Sequence, residues 1–261
     1  MRQVHLFALA LQFLTRVPVP ASVAWSEAAM HASARYFPAV GMIIGLWGAL
    51  VWWGAQWLWP APIAVGLSMA ATVWLTGAFH EDGWADTCDG LGGAVSKDKA
   101  LAIMKDSRLG TYGVTGLAFM LLLKAACLCA LPAAALPAVL IWTHALSRLA
   151  PLALMRTLRY AGDADHAKAK PMAQQLSGAS LAIAVGSVAL LAFGVGLMGG
   201  GLGMPLAWMG WSLLGTVGAT AVMGRILHRR LGGYTGDGLG ASQQLAELCS
   251  LLALLAGLPH G

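Results

Sequence analysis

Charged residues are scarce in this chain, and their scarcity excludes an ordinary soluble domain. Only 10% of the 261 residues are charged, whereas 58% are hydrophobic. Soluble domains carry about a quarter charged residues, so this chain has too few to cover a surface that faces water. The composition, with 33 Gly and 11 Trp, instead fits helices that pack in lipid.

Cysteine is scarce as well, and its four positions indicate neither a disulfide framework nor a metal knuckle. Cys127, Cys129 and Cys249 lie in apolar stretches, and Cys88 lies beside acidic residues. None has the paired spacing of such sites, so we expect free thiols in a reducing compartment. A cleavable signal peptide is not expected either, because the apolar patch Leu6–Leu14 is short and lacks a small-residue cleavage site.

Apolar segments run through the whole chain and predict an all-α, polytopic transmembrane helical bundle. A helix needs about 20 apolar residues to span a bilayer. Segments of about that length lie at 37–59, 61–80, 111–130, 132–155, 179–200, 203–224 and 239–258. We expect six or seven spanning helices in a single membrane domain, 1–261, and an interfacial helix at the N-terminus.

The charges gather in segments that the predicted hairpins place on one membrane face. Of the 16 Lys and Arg, 14 lie in these segments, with 10 of the 11 Asp and Glu. The segments are 1–36, 81–110, 156–178 and 225–238. The turns near 59–62, 131–132 and 199–203 carry no charge. The positive-inside rule then assigns the charged face to the cytoplasm.

Three charged residues, Lys124, Arg148 and Glu247, lie inside predicted spans. Charge at that depth is costly, so such residues usually face the bundle interior or water. Glu247 could line a site or bond to another helix. Arg148 could equally extend its charged end toward the membrane interface.

An acidic stretch follows the second predicted span. Asp82, Asp86 and Asp89 are spaced i, i+4 and i+7, so they share one face if the span continues as a helix. Three like charges on one stripe repel one another unless a cation is present, and Mg²⁺ prefers carboxylate ligands. The alternative is a solvated acidic helix end. His80, just before the stretch, could be a base or a structural residue.

Two further polar stretches fall on the same predicted face. Residues 97–105 have the pattern of an amphipathic surface helix, and Lys105, Asp106 and Arg108 cluster after it. Lys and Arg beside carboxylates suit a phosphate-bearing ligand. The stretch 231–241 is rich in glycine and precedes a helix, a combination that favours anion binding, and its Asp237 could add a metal ligand.

These groups together favour displacement at a phosphorus centre assisted by a metal ion. Prenyl transfer, in which a diphosphate leaves from carbon, uses similar groups, and the residues alone do not separate the two. A divalent-metal transporter is the non-enzyme alternative. Transport sites usually lie at the bilayer midplane, whereas these carboxylates crowd one face.

At these residues the chain resembles the cobalamin synthase family (adenosylcobinamide-GDP ribazoletransferase). The matching stretches, in order along almost the whole chain, are FLTRVPVP at 13–20, FPAVG at 37–41, TGAFH at 76–80, DGWADTCDG at 82–90, MKDSRLGT at 104–111 and GGYTGD at 232–237. Glu81 departs from the family pattern, in which a neutral residue is common there. That departure argues against Glu81 as a ligand and leaves the aspartates untouched.

The resemblance implies a late step of cobalamin (vitamin B12) synthesis. A ribose hydroxyl of α-ribazole, or of its 5′-phosphate, would displace GMP from adenosylcobinamide-GDP and give adenosylcobalamin or its phosphate. The resemblance also implies Mg²⁺ as cofactor and the cytoplasmic (inner) membrane of a prokaryote, with the active site on the cytoplasmic face. A Mg²⁺-dependent prenyl- or phospho-alcohol transferase is the lesser enzyme alternative.

The resemblance also implies residue roles. Asp82, Asp86, Asp89 and Asp237 would hold Mg²⁺, and Asp237 could instead orient the ribose hydroxyl. Lys105, Asp106, Arg108, Gly232, Gly233 and Gly236 would bind substrate, and His80 would be the general base. The expected partners are the two substrates, the lipid bilayer, and a second copy of the chain or other cobalamin-pathway enzymes. No nucleic acid is expected.

Overall fold

The fold is all-α and suited to a membrane, as the apolar segments predict. The computed structural model describes residues 2–162, 176–197 and 204–258. In these residues, six helical segments are long and apolar enough to cross a bilayer, and a bent helix pair could add a seventh. The six lie at Glu27–Ala55, Thr111–Ala130, Ala133–Thr157, Gly178–Val195, Leu206–Leu231 and Gly236–Ala256. The predicted polytopic bundle is confirmed.

Twelve α-helices, α1 to α12, follow one another along the described chain. Their bounds are Arg2–Leu14, Glu27–Ser33, Phe37–Ala55, Ala61–Thr76, Phe79–Gly93, Lys97–Met104, Thr111–Ala130, Leu136–Ser147, Leu149–Thr157, Gly178–Leu197, Leu206–Leu231 and Gly236–Ala256. The apolar N-terminal patch forms the short helix α1, and the amphipathic stretch 97–105 forms α6. A parallel β-bridge joins Tyr160 to Tyr234.

The second predicted span, 61–80, does not continue straight into the acidic residues. Helix α4 ends at Thr76, α5 begins at Phe79, and the two helices meet at 89°. Gly77 (φ 67°) and Ala78 (φ 59°) are both left-handed, a conformation that cannot continue a right-handed helix. The acidic residues therefore lie on a separate helix that turns away from α4.

Two helix boundaries beside the glycine-rich turn also differ from the predicted spans. Helix α11 runs to Leu231, beyond the predicted end at 224, and its last turn carries basic residues that favour a helix C-terminus. Helix α12 begins at Gly236 instead of 239, so Asp237 lies in its first turn. The predicted turn at 199–203 lies outside the described residues. Residues 163–175, which are part of the charged segment 156–178, lie outside them as well.

Hydrogen bonds join the predicted polar segments at one end of the bundle. Arg230 Nη2 donates to the carbonyl of Ala94 (2.7 Å), which links the end of α11 to the loop before α6. The Tyr234 amide donates to the carbonyl of Arg159 (2.9 Å), and the Arg16 amide donates to that of Leu75 (2.8 Å). Segment 225–238 thus meets segments 81–110 and 156–178 in the structure, and segment 1–36 is joined to the end of α4, next to α5.

Tryptophan side chains surround the opposite turn, between α3 and α4. Trp53, Trp57 and Trp59 are exposed there. Exposed Trp is common where a membrane protein crosses from hydrocarbon to water. This turn is therefore suited to the second membrane interface.

Candidate active site

Helices α5 and α12 cross at glycines, and the crossing brings acidic residues of both helices together. A Cβ built at Gly83 would lie 2.9 Å from the carbonyl oxygen of Asp237 and 3.3 Å from the Cα of Gly240. Only glycine permits two backbones to approach so closely. Because Asp82 is next to Gly83, the crossing places Asp82 beside the start of α12.

Three carboxylates repel one another across this crossing. Asp86 is acted on by the charges of Asp82 and Asp237, and Asp237 by that of Asp82. Asp82 is exposed, while the other two side chains are half-buried, so the group opens toward solvent. Carboxylate oxygens are the ligands that Mg²⁺ prefers, so the donor chemistry fits that ion.

The metal site itself stays a prediction. Within residues 2–162, 176–197 and 204–258, no three His, Cys, Asp or Glu side chains are grouped so that they could hold a metal ion. The carboxylates of Asp82, Asp86 and Asp237 would have to draw closer together around a cation. Relief of their repulsion would favour that movement.

Asp89 differs from its two neighbours on the predicted stripe. Its side chain is buried, and its two oxygens accept hydrogen bonds from the backbone amides of Gly110 (2.7 Å) and Gly113 (2.8 Å). Gly110 immediately precedes α7 and Gly113 lies in its first turn, where amides lack partners within the helix. Asp89 thus fixes the start of α7 against α5. Its role as a metal ligand stays a prediction, and both of its oxygens already accept hydrogen bonds in this structure.

His80, the predicted general base, faces the interior of the bundle. Its side chain is only 5% exposed. The charged groups that act on its ring are Arg148, Glu247 and Lys124, none of which belongs to the acidic crossing. The base role remains a prediction, and the geometry puts this ring among buried polar residues.

Lys124 and Glu247 belong to a buried hydrogen-bond network that was not predicted from the sequence. Lys124 Nζ donates to Glu247 Oε1 (2.8 Å) and to Gln244 Oε1 (2.7 Å). Gln244 Nε2 donates to Glu81 Oε1 (3.0 Å), and Gln243 Nε2 donates to Glu247 Oε2 (2.7 Å). Gln243 Nε2 also donates to the hydroxyl of Ser147 (3.0 Å). We call Glu81, Lys124, Ser147, Gln243, Gln244 and Glu247 the buried polar network.

One indication of this network came from the sequence, namely charged residues inside predicted membrane spans. Lys124 and Glu247 stood out because charge is rare at that depth. Their pairing was beyond prediction, since the two residues are 123 positions apart. Arg148 is also buried, with Nη1 donating to the His144 carbonyl (2.6 Å), so the interior position is confirmed over the interface alternative.

Asp106 and Arg108 form an exposed ion pair after α6. Arg108 donates through Nε to Asp106 Oδ1 (3.0 Å) and through Nη2 to Oδ2 (2.6 Å). These hydrogen bonds lower the pKa of Asp106 to about 2. The pair holds the guanidinium in one orientation, so the other edge can face a ligand. Lys105, at the end of α6, is exposed beside them.

The glycine-rich turn links α11 to α12 and reaches a further basic residue. Gly232 ends α11 with a left-handed conformation, and Gly233 lies against the carbonyl of Arg159. Thr235 caps α12, where its hydroxyl accepts a hydrogen bond from the Gly238 amide (3.0 Å). Gly236 opens the helix and is exposed. Of the predicted substrate glycines, Gly236 is therefore next to Asp237, whereas Gly232 and Gly233 lie at the end of α11 and in the turn.

Comparison with known proteins assigns the family. A family model described as cobalamin-5-phosphate synthase matches residues 6–255. The chain belongs to this family. The resemblance predicted from the sequence motifs is thereby confirmed.

Relatives in the cobalamin-5-phosphate synthase family cover almost the whole chain. A protein of Leptothrix cholodnii named adenosylcobinamide-GDP ribazoletransferase is 56% identical over 259 residues, covering 98% of this chain and 96% of its own length. Proteins of the same name from Shewanella frigidimarina and Vibrio cholerae are 43% and 41% identical, with 98% and 99% of this chain and 96% of each relative covered. No solved structure matches the chain. These relatives lend no support to prenyl transfer or metal transport.

Proposed function

We propose that this chain is an adenosylcobinamide-GDP ribazoletransferase of a late step in cobalamin synthesis. It joins adenosylcobinamide-GDP to α-ribazole, or to α-ribazole 5′-phosphate, and releases GMP. Family membership over nearly the whole chain supports this activity. The main structural support for the site is the crossing of α5 and α12 at Gly83 and Gly240. This crossing lies beside Asp82, Asp86 and Asp237.

The reaction is a displacement at phosphorus. The ribose hydroxyl oxygen bonds to the phosphorus attached to the cobinamide, and the bond from that phosphorus to the bridging oxygen breaks. GMP leaves with the electron pair of that bond, and the hydroxyl proton passes to a base. We expect Asp237, half-buried in the first turn of α12, to orient the hydroxyl or to add a metal ligand.

Asp82, Asp86 and Asp237 would hold Mg²⁺. When bound, the ion offsets the negative charge of the diphosphate and of the leaving group. The cationic side chains Lys105 and Arg108 neutralise further phosphate charge, and Asp106 keeps Arg108 in place. Asp89 serves the site indirectly, because it fixes the first turn of α7 just after Arg108.

The charge distribution supports a proposed membrane location. The segments joined at the active end of the bundle are the ones that carry most of the Lys and Arg. We assign this end to the cytoplasmic face of the inner membrane by the positive-inside rule. Both substrates would then enter from the cytoplasm without crossing the bilayer.

A direct assay tests the proposed activity. Purified protein in lipid nanodiscs is mixed with adenosylcobinamide-GDP, α-ribazole and Mg²⁺, and GMP is measured by chromatography. The expected result is GMP and a cobalamin product in equal amounts. A parallel assay contains farnesyl diphosphate and an aromatic acceptor. If that assay releases diphosphate and the first assay releases no GMP, the results would instead support prenyl transfer. Uptake of divalent ions by liposomes without any GMP would support transport.

A further inference from the structure

The buried polar network lies directly behind the acidic crossing. Glu81 precedes Asp82 on α5, and Gln244 lies seven residues after Asp237 on α12, which is about two helical turns. The hydrogen bond from Gln244 to Glu81 (3.0 Å) thus joins the two helices that carry the carboxylates. A second contact between the same helices is the glycine crossing at Gly83.

The network ties this pair of helices to two more. Lys124 of α7 bonds to Gln244 and Glu247, and Ser147 of α8 accepts a hydrogen bond from Gln243. Its members are nearly inaccessible: Gln243 is 1% exposed, Gln244 2% and Lys124 5%. Four helices are therefore held in one arrangement by groups that the bilayer core would otherwise leave without partners.

Stability alone is a poor reason for such a network. An apolar replacement of a buried ion pair is often neutral or stabilising, because desolvation of the charges offsets their attraction. Directional hydrogen bonds differ from apolar contacts in that they fix one register between helices. A slide of α5 along α12 would break the contact from Gln244 to Glu81 and also change the separation of Asp82 and Asp237.

We propose that Glu81 and Gln244 are positioning residues that set the spacing of Asp82 and Asp86 against Asp237. This inference rests on the proposed Mg²⁺ site. Glu81 touches neither the metal nor the substrate, and it acts through the position of α5. Residues that orient metal ligands in this way commonly change metal affinity by about 10- to 100-fold when they are replaced.

The test compares Glu81→Leu with Glu81→Gln. The leucine removes the hydrogen-bond acceptor, whereas the glutamine keeps an oxygen that can accept from Gln244. Mn²⁺ binding to the purified protein in nanodiscs, measured by electron paramagnetic resonance without substrates, should weaken about tenfold or more in Glu81→Leu and return to near the wild-type value in Glu81→Gln. Gln244→Leu should weaken it similarly, which provides a second variant if Glu81→Leu does not fold.

Ser250→Ala is the matched control. Ser250 is buried on α12, and its hydroxyl bonds to Ser212 of α11, so this variant removes a buried polar contact of the same helix without touching α5. It should bind Mn²⁺ as the wild type does, even if its thermal stability falls. Wild-type Mn²⁺ affinity in both leucine variants would overturn the positioning inference alone. A wild-type protein that binds no Mn²⁺ would overturn the proposed metal site, and this inference with it.

Discussion

At the C-terminal end of α5, Asp89 accepts hydrogen bonds from the backbone amides of Gly110 and Gly113. Both amides lie where α7 begins, and a carboxylate there also interacts favourably with the helix dipole. The same spacing that placed Asp89 on a stripe with Asp82 and Asp86 therefore serves a second purpose. A sequence pattern gives the face of a helix, whereas the partner of each side chain depends on the surrounding fold.

Replacement of Asp89 by alanine should destabilise the protein. Two amides would lose a charged acceptor in a buried place, at a cost of about 1–3 kcal/mol each. The unfolding temperature in detergent should fall clearly for Asp89→Ala and stay near that of the wild type for Asp98→Ala, an exposed carboxylate of α6. If Asp89→Ala kept the wild-type stability but lost metal binding, Asp89 would be a metal ligand and not a structural residue.

Arg108 should affect substrate binding more than protein stability. Its side chain is 88% exposed, and Asp106 holds one edge of the guanidinium. Because the pKa of Asp106 is lowered to about 2, this carboxylate is ionised at all physiological pH values, and the pair is lost only as the pH falls through about 2. Steady-state kinetics of Arg108→Gln should show a KM for adenosylcobinamide-GDP raised about tenfold, since one charged hydrogen bond contributes about 1.5–3 kcal/mol.

Lys99→Gln is the control for Arg108→Gln. Lys99 is an exposed cation of α6 and belongs to no predicted substrate contact. Its removal lowers the net charge by the same amount, so it reports the long-range effect of charge on binding. Equal KM values for the two variants would contradict a specific contact by Arg108.

At the scale of the helices, the close crossing of α5 and α12 requires glycine at position 83. A methyl group at Gly83 would press against the carbonyl of Asp237, so Gly83→Ala should separate the helices. We expect an overpacking cost of about 1–3 kcal/mol. GMP release should fall at least about tenfold, because the carboxylates would no longer lie at the right spacing.

Gly66→Ala is the matched control for this glycine. Gly66 lies on α4, and a Cβ there would meet no atom within 4 Å. Alanine also favours the helical conformation over glycine, so stability should hold or rise. An activity loss in Gly66→Ala equal to that in Gly83→Ala would contradict a role for the crossing.

Helices were predictable where length and hydropathy determine them. The spans near 37–59 and 111–130 appear as α3 and α7, because each is a long apolar run with a short polar or proline boundary. The bend at Gly77 and Ala78 was not predictable, since a left-handed alanine depends on tertiary contacts. The same limit applied to Glu81 and Gln244, whose contact joins residues 163 positions apart.

For the whole molecule, the charge distribution predicts a definite orientation in the membrane. The polar segments meet at one end of the bundle, and the exposed Trp57 lies at the turn between α3 and α4, in the opposite direction along the spans. The positive-inside rule then directs the polar end to the cytoplasm. Val95, in the loop between α5 and α6, is 98% exposed at that end.

Thiol labelling tests this orientation. The four native cysteines are replaced by alanine, and either Val95→Cys or Trp57→Cys is added. A maleimide that cannot cross the inner membrane should label the Trp57→Cys protein in spheroplasts and the Val95→Cys protein only after lysis. The opposite pattern would place the carboxylates outside the cell and contradict the proposed access from the cytoplasm.

The central claim is that carboxylates from α5 and α12 form one metal-dependent catalytic site. The most direct measurement is the rate of GMP release from adenosylcobinamide-GDP and α-ribazole as free Mg²⁺ is varied, for the wild type, Asp86→Asn and the surface control Asp98→Asn. We predict a saturable Mg²⁺ dependence in the wild type and the control, and a rate at least about 100-fold lower in a folded Asp86→Asn protein. Wild-type turnover by Asp86→Asn, or turnover that persists in excess chelator, would contradict the claim.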